Sequence, residues 1–173
     1  MEENNPSVHL RAMEPEDIDA IYQWENDPSI WVYGTAHQPF SKAALQRFID
    51  NDSGNDIHTS RQIRLMADTD GIGAIGCIDL YDFDPYNRRA AVGILTDSRL
   101  RNQGYGSAML KAVELFAAEH LNIHQLYCDI ASNNTISIHL FKRQGYTLCG
   151  TLKEWIWDND KWIDALSFQK IIK

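Results

Sequence analysis

One segment of the chain, residues 92–107, constrains the fold more than any other. It reads VGILTDSRLRNQGYGS: a strand pattern, a short basic loop with two glycines, and the start of a helix. A helix N-terminus leaves about four backbone N–H groups without intrahelical partners and carries roughly half a positive charge. Gly104 and Gly106 let this backbone approach a bulky anion, and Arg101 adds a full positive charge. The spacing is compatible with a pyrophosphate site, although a glycine turn before a helix is more often structural.

Strand and helix patterns surround this segment. Period-two patterns predict strands over 8–13, 62–67, 72–82, 88–96 and 125–131 and a final hairpin of 154–157 with 161–170; helices are predicted over 17–26, 41–49, 104–120 and 135–144. Residues 29–40 read as an aromatic loop. The order predicts a mixed sheet flanked by helices, in one α+β domain spanning 1–173, because this length suffices for one core and is short for two.

Charge and composition exclude several classes of protein. The net charge of −8 disfavours nucleic-acid and anionic-membrane partners, and no apolar run approaches the roughly 18 residues of a membrane span. Three separated cysteines without a C-x-x-C pair indicate neither a disulfide framework nor a zinc site, and the six histidines show no metal spacing. With an acidic N-terminal segment unlike a signal peptide, a reducing cytoplasm is the expected location.

The charge is distributed unevenly along the chain. Residues 1–84 carry 16 acidic and 5 basic side chains, a balance of −11, whereas residues 85–173 carry 8 acidic and 11 basic side chains, a balance of +3. Chance clustering on a solvated surface explains this as well as function does. The functional interpretation is a front half that attracts a cation and a rear half that attracts an anion.

Two motifs in this order resemble those of the GNAT superfamily of acyl-CoA-dependent N-acyltransferases. The run Arg101-Asn-Gln-Gly-Tyr-Gly106 is similar to its pyrophosphate loop, R/Q-x-x-G-x-G/A. About 30 residues later, Asn134-x-x-Ser-x-x-x-Phe141-x-x-x-Gly-Tyr146 resembles N-x-x-S/A-x-x-x-Y-x-x-x-G-F. Residues 10–17 and 23–28 resemble the branch that holds spermidine N-acetyltransferases and ribosomal-protein N-terminal acetyltransferases, so the resemblance spans nearly the whole chain.

The resemblance implies a three-layer α/β fold with a mostly antiparallel central sheet, and acetyl-CoA as acyl donor. Backbone groups of Ile94, Leu95 and Thr96 would pair with the pantetheine arm. The pyrophosphate would be wrapped by the loop residues Arg101, Asn102, Gln103, Gly104, Tyr105, Gly106 and Ser107. Asn134 would hydrogen-bond the arm of the cofactor. Phe141 stands where most members place the tyrosine that protonates the leaving sulfur.

The implied reaction is direct attack of an amine on a thioester through a tetrahedral oxyanion. A backbone N–H near Leu95 would stabilise that oxyanion, and one such donor is typically worth about 3 kcal/mol. A thiol with a pKa near 8.5 leaves tolerably well unprotonated, so loss of the tyrosine at Phe141 should slow the reaction rather than abolish it. Tyr146 or a water is the expected substitute. Equally, Phe141 is compatible with a degenerate member that only binds acyl-CoA.

The acceptor determines how much base is needed. An alkylamine with a pKa near 10.4 is neutral in about one molecule in 2,500 at pH 7, whereas a peptide α-amine near 7.8 is much more often neutral. Related enzymes often carry a glutamate where this chain has Ala91. Asp79 is the first candidate for the base, because an acid among apolar strand neighbours is costly unless it is used or paired. Asp129 is the second candidate. For both, a solvent-facing acid is the more common alternative.

Several further side chains are candidates for lining an amine site: Glu25, Trp31, Tyr33, Tyr81 and Trp155. Aromatic rings bind ammonium groups through cation–π contacts, although such residues belong to a core more often. Transfer of acetyl to a small polyamine-like primary amine is slightly favoured, since the acidic front half suits a polycation. Acetylation of a ribosomal or other protein N-terminus and a catalytically degenerate acyl-CoA sensor remain alternatives. A homodimer is a possible assembly.

Overall fold

A seven-stranded sheet with helices on both faces forms the fold. The computed structural model describes residues 6–31, 33–34, 37–52 and 55–173. The strands are β1 His9–Arg11, β2 Ile63–Thr69, β3 Gly73–Asp84, β4 Arg89–Thr96, β5 Gln125–Ala131, β6 Thr147–Asp158 and β7 Lys161–Ile171. The helices are α1 Ile18–Glu25, α2 Pro28–Trp31, α3 Lys42–Asp52, α4 Ile57–Ser60, α5 Tyr105–Glu119 and α6 Thr135–Arg143, with 3-10 turns at Pro15–Asp17 and Ser98–Leu100.

The strand pair β4–β5 interrupts an otherwise antiparallel sheet. The strand order is β1-β2-β3-β4-β5-β7-β6, and β4–β5 is the parallel pair. Pairing of these two strands covers only residues 89–91 of β4 and 125–127 of β5. Beyond that point β4 continues to Thr96 and β5 to Ala131 without pairing to each other. Residues 92–96 and 128–131 therefore border an opening in the sheet, here called the β4–β5 gap.

Two hydrophobic clusters fill the two faces of the sheet. The larger one joins α5 and α6 to one face and includes Ile78, Met109 and Phe168. The smaller one joins α1 and α3 to the opposite face and includes Ile21 and Cys77. Neighbouring strand residues such as Cys77 and Ile78 point to opposite faces, which is why adjacent residues enter different clusters. The predicted three-layer architecture with a mostly antiparallel sheet is confirmed.

The predicted elements differ from the observed ones at three places. The one-turn helices α2 and α4 were not predicted, because a single turn has no apolar period and is instead capped locally: Asp27 and Asp56 accept from the N–H groups of Ser29 and His58. Strand β6 begins at Thr147 rather than at residue 154. It is an edge strand with mostly exposed side chains, so the alternation that predicts strands is weak there.

Parts of the sequence predictions lie outside the described residues: the N-terminal segment 1–5, residues 32 and 35–36 of the predicted aromatic loop, and residues 53–54 after α3. Within the described ranges, every helix is too short or too polar to cross a membrane.

Candidate active site

Strand β4, which forms one side of the β4–β5 gap, lies unusually close to β3. Gly76 pairs with Thr96, and a Cβ added at Gly76 would lie 2.1 Å from the carbonyl oxygen of Leu95. Any side chain at this position would push β4 away from β3. One edge of residues 94–96 pairs with β3, so the backbone groups that alternate to the other edge face the gap. The structure therefore brings Ile94, Leu95 and Thr96 to the position expected of a backbone that pairs with an extended ligand.

The loop between β4 and α5 presents backbone N–H groups at a helix N-terminus. Asn102 and Gly104 have left-handed φ values of 61° and 85°, and Gly104 is the N-cap of α5. The loop residues from Arg101 to Gly104 are exposed. Left-handed residues beside a helix start aim successive N–H groups outward, an arrangement that favours a phosphate. The backbone of this loop is thus compatible with the predicted anion site.

Gly106 has a second reason to lack a side chain. A Cβ there would lie 3.1 Å from Cδ2 of Leu140, so this glycine lets α5 approach α6 closely. At the start of α6, the Oδ1 atom of Asn134 accepts the N–H of Ser137 at 3.2 Å and caps the helix. The Asn and Ser of the N-x-x-S motif therefore form the N-terminal cap of α6. The side-chain NH2 of Asn134 takes no part in this cap and can donate to another group.

Phe141 is 3% exposed and packs edge-on against Tyr146, with ring centroids 4.9 Å apart. Tyr146 is also buried. Its ring lies 5.7 Å from Nζ of Lys170, which pairs with Leu126 in the closed part of the sheet. Burial raises the pKa of Tyr146, and the nearby Glu114 carboxylate raises it further. The Tyr146 hydroxyl therefore lies buried near Glu114 of α5.

Asp79 belongs to a cluster of charges beside the gap. Arg64 on β2 donates to both of its carboxylate oxygens, at 2.6 and 2.8 Å, and also donates to Glu25 at the end of α1. The Arg64 side chain is 18% exposed and lies against the ring of Phe48. Burial alone would lower the pKa of Arg64, but the carboxylates raise it well above its ordinary value. The cluster thus joins two predicted site residues, Glu25 and Asp79, through an arginine.

Asp129 lies on the same face of the sheet, across the gap from Asp79. Asp79 pairs with Gly93, which is two residues beyond Ala91, and Asp129 is two residues beyond Tyr127, the partner of Ala91 in the last β4–β5 pair. Residues directly opposite in a ladder share a face, and i, i+2 residues along a strand do as well. The Oδ1 atom of Asp129 accepts the hydroxyl of Ser167 at 2.5 Å, while its Oδ2 has no protein partner among the described residues.

Tyr81 borders the same row of residues. A Cβ added at Gly93 would lie 3.7 Å from Cε1 of Tyr81 and 3.8 Å from Cβ of Asp79, so both side chains flank the glycine. Tyr81 remains 36% exposed, and burial of its hydroxyl raises the pKa to about 12, well above the physiological range. Tyr81 therefore stays a neutral aromatic wall beside the carboxylates.

The remaining predicted substrate residues are less closely joined. The indole N–H of Trp31 donates to the carbonyl of Glu25 at 2.9 Å, which ties α2 to the charge cluster. Tyr33 is exposed. Trp155 is 62% exposed in a bulge of β6, where the Asp164 carboxylate accepts the N–H of Glu154 at 3.0 Å. Among the described residues, neither Tyr33 nor Trp155 makes a ring contact with the cluster.

A cavity of about 150 Å³ joins the end of α1 to the end of β4 and to residues 98–104 before α5, here called the anion loop. Its lining comprises Gln23, Trp24, Asp27, Ile30, Leu95, Thr96, Ser98 and Arg101. In the part of the chain that the structure describes, no three His, Cys, Asp or Glu side chains are grouped so as to hold a metal ion. Sequence reasoning missed two residues at this site, Arg64 and Asp97. A lone arginine within the apolar strand 63–67 was the available signal for the first.

An otherwise antiparallel sheet that opens at one parallel pair, followed by a glycine loop at a helix N-terminus, is the architecture of an acyl-CoA-dependent N-acyltransferase. Residues 7–147 match the family model described as an acetyltransferase (GNAT) domain. This match covers most of the chain, which therefore belongs to the GNAT acetyltransferase family. The protein is an acetyl-CoA-dependent N-acetyltransferase.

Individual relatives are distant but extend over nearly the whole chain. The spermidine N(1)-acetyltransferase of Escherichia coli strain K12 is 24% identical over 160 residues, covering 92% of this chain and 83% of the relative. The L-amino acid N-acetyltransferase AaaT of the same strain is 23% identical over 166 residues, covering 95% and 98%. The spermidine N-acetyltransferase of Vibrio cholerae, solved with CoA and spermine, superimposes with a TM-score of 0.86 at 21% identity, covering 95% of both chains. The last similarity shows the fold.

Proposed function

We propose that this protein transfers the acetyl group of acetyl-CoA to a primary amine of a small polyamine-like molecule. The observation that carries the proposal is a pair of carboxylates on one face of the sheet: Asp79 on β3, beside Gly93, and Asp129 on β5, across the gap. A cationic amine that approaches the gap from this face meets negative charge on both sides. The spermidine acetyltransferases among the relatives support the same substrate class.

The donor half of the site fits acetyl-CoA. Asn102 and Gly104 are left-handed and exposed, so their backbone N–H groups would be available to a pyrophosphate, and Arg101 would add positive charge beside them. The unpaired backbone edge of residues 94–96 would hold the extended arm, and the amide of Asn134 would approach it from the far side of the gap. When bound, acetyl-CoA supplies an activated thioester. A backbone N–H near Leu95 would stabilise the negative charge that develops on the carbonyl oxygen.

An alkylammonium must lose a proton before it can attack, so the acceptor half requires a base. Both oxygens of Asp79 already accept hydrogen bonds from Arg64, whereas Asp129 accepts one from Ser167 and keeps Oδ2 open. We therefore assign proton acceptance, directly or through a water, to Asp129. Asp79 supplies negative charge that orients the amine. Phe141 offers no proton to the sulfur, so the thiolate leaves unprotonated or takes a proton from water.

The substrate-facing set also includes Glu25, Trp31 and Tyr81, with Tyr33 and Trp155 further out. Trp31 is bonded to Glu25, and Tyr81 flanks Gly93, so these side chains would wall the acceptor. We further propose a cytoplasmic location, which the three free thiols of Cys77, Cys128 and Cys149 support. The homodimer stays a prediction.

Product analysis tests the proposal. The protein is incubated with acetyl-CoA and a mixture of polyamines, amino acids and short peptides, and the products are identified by mass spectrometry while thiol release is followed. We expect acetylated polyamines to dominate. Exclusive acetylation of peptide N-termini would favour a protein substrate, and exclusive acetylation of amino acids would favour that class instead. Binding of acetyl-CoA without thiol release over the whole mixture would show an acyl-CoA sensor.

A further inference from the structure

The carboxylate of Asp97 connects the anion loop to helix α1. Asp97 is 2% exposed, although it directly precedes the exposed loop. Its Oδ2 accepts the indole N–H of Trp24 at 3.0 Å, and the Arg99 guanidinium donates to both carboxylate oxygens at 2.9 and 2.7 Å. The N–H of Arg99 also donates to Oδ1 at 2.9 Å. Four hydrogen bonds thus meet at one buried carboxylate.

These contacts determine the direction in which the loop leaves the sheet. The N–H of Asp97 donates to the carbonyl of Ile75 at 2.8 Å, and the N–H of Leu100 donates to the carbonyl of Asp97 at 2.9 Å. Asp97 is therefore held by β3 on one side and closes the turn that leads to Arg101 on the other. A loop that binds a ligand through its backbone N–H groups binds more tightly when it is already ordered, because ordering a misplaced loop during binding costs free energy.

Helix α1 carries Trp24, the hydrogen-bond donor to Asp97. Trp24 is 6% exposed and packs in the cluster with Met66 and Cys77, so its indole N–H has a rigid position. The next residue, Glu25, is bonded to Arg64 in the charge cluster on the acceptor side. Two consecutive residues of α1 therefore make these contacts: Trp24 with Asp97, next to the anion loop, and Glu25 with Arg64, in the charge cluster.

We propose that the hydrogen bond from Trp24 to Asp97 positions the anion loop for acetyl-CoA, so that the affinity for the CoA moiety depends on an indole N–H that is bonded to Asp97. The inference rests on the donor site proposed above. Trp24 and Asp97 act as positioning residues. Arg99 holds the pKa of Asp97 well below its ordinary value, so the carboxylate that accepts the Trp24 hydrogen bond stays ionised at neutral pH.

The substitution Trp24→Phe tests this, because it keeps an aromatic ring in the core and removes the N–H. We expect the Kd for CoA, measured by calorimetry, to rise roughly tenfold, the equivalent of one hydrogen bond to a charged acceptor. The KM for acetyl-CoA should rise in parallel, while kcat at saturation and the KM for the amine stay within about twofold. The matched control is Trp162→Phe, which makes the same chemical change at an exposed indole on β7.

The outcomes separate the two proposals. A Trp24→Phe protein that is folded and binds CoA as tightly as wild type would overturn the positioning role while leaving the donor site intact. Wild-type protein that binds no CoA would overturn the donor site and this inference together. Should the variant fail to fold, the indole proton resonance of Trp24 in the wild-type protein decides: a shift on CoA binding, without one at Trp162, supports the contact, and an unchanged resonance contradicts it.

Discussion

Arg64 on β2 binds Asp79 on β3 through two parallel hydrogen bonds, from Nε to Oδ1 at 2.6 Å and from Nη2 to Oδ2 at 2.8 Å. Such fork-to-fork geometry is the strongest form of a side-chain ion pair. Glu25 of α1 also accepts a hydrogen bond from Arg64, so this guanidinium links α1 to β2 and β3. Burial raises the pKa of the nearby Asp52, and the charge of Asp79 raises it further. The acceptor side thus contains more carboxylates than Arg64 can neutralise.

The first prediction concerns this cluster. Arg64→Met removes the cation and leaves Asp79 and Glu25 as unpaired, partly buried carboxylates. We expect the free energy of unfolding to fall by about 3 kcal/mol, since the loss of one partner of a buried pair leaves an uncompensated charge. Denaturant unfolding at pH 7 measures it. The control is Lys42→Met, whose partner Asp19 is exposed, and a loss no larger than the control's would mean that the cluster is not a structural link.

The second prediction concerns the anion loop. Gly104→Val puts a β-branched side chain at a φ of 85° in the proposed pyrophosphate site, so CoA binding should weaken by more than tenfold. Gly71→Val is the matched control, because Gly71 has a φ of 80° in open space in the β2–β3 turn and suffers the same backbone strain. Calorimetry with CoA compares the two. Equal affinities in both variants would remove the phosphate role from Gly104.

The third prediction identifies the base. With a polyamine acceptor, Asp129→Asn should flatten the rise of kcat/KM with pH, because the proton acceptor is lost. Asp79→Asn should lower the rate at every pH and leave the shape of the profile unchanged, since its oxygens are held by Arg64. If Asp79→Asn flattens the profile and Asp129→Asn does not, the base is Asp79 and not Asp129.

The fourth prediction restores the missing hydroxyl. Phe141→Tyr adds a phenol at the position where the family motif places one, and we expect kcat to rise several-fold if thiolate departure limits the rate. The gain is modest because a thiol with a pKa near 8.5 leaves without assistance. Phe141 is buried, so the free energy of unfolding should fall by about 1 kcal/mol for a hydroxyl without a partner. Phe141→Leu serves as control for packing alone, and an unchanged kcat in Phe141→Tyr would show that departure is not limiting.

The fifth prediction concerns acid stability. The Arg99 guanidinium lowers the pKa of Asp97 in the folded state, so this carboxylate stabilises the fold above its unfolded pKa of about 3.9 and loses that effect as the pH falls. The stability difference between wild type and Asp97→Asn should therefore shrink as the pH falls from about 5 towards 2. Unfolding at a series of pH values measures it, with Asp70→Asn as the control at an exposed carboxylate. A difference independent of pH would mean that the charge of Asp97 contributes nothing.

Local features of the fold were predictable from neighbouring residues. The β4–loop–α5 unit and the helices α3 and α6 were predicted and are present, with Ser41 accepting the N–H of Ala44 at the start of α3 and Gly145 at a φ of 87° after α6. Each depends on contacts within about four residues, which a sequence pattern records directly. The edge strand β6 and the one-turn helices were missed because they bury too little to leave such a pattern.

The sequence by itself determined the order of the elements, the two glycine-bearing motifs and the acidity of the front half, because these follow from residue identity and short spacing. Only the tertiary structure decided where β4 and β5 part, that Asp79 faces Arg64, and that Trp24 reaches Asp97 across 73 positions of the chain. These relationships join residues far apart in sequence. Their partners are selected by the packing of whole elements, which leaves no trace in the spacing of either residue.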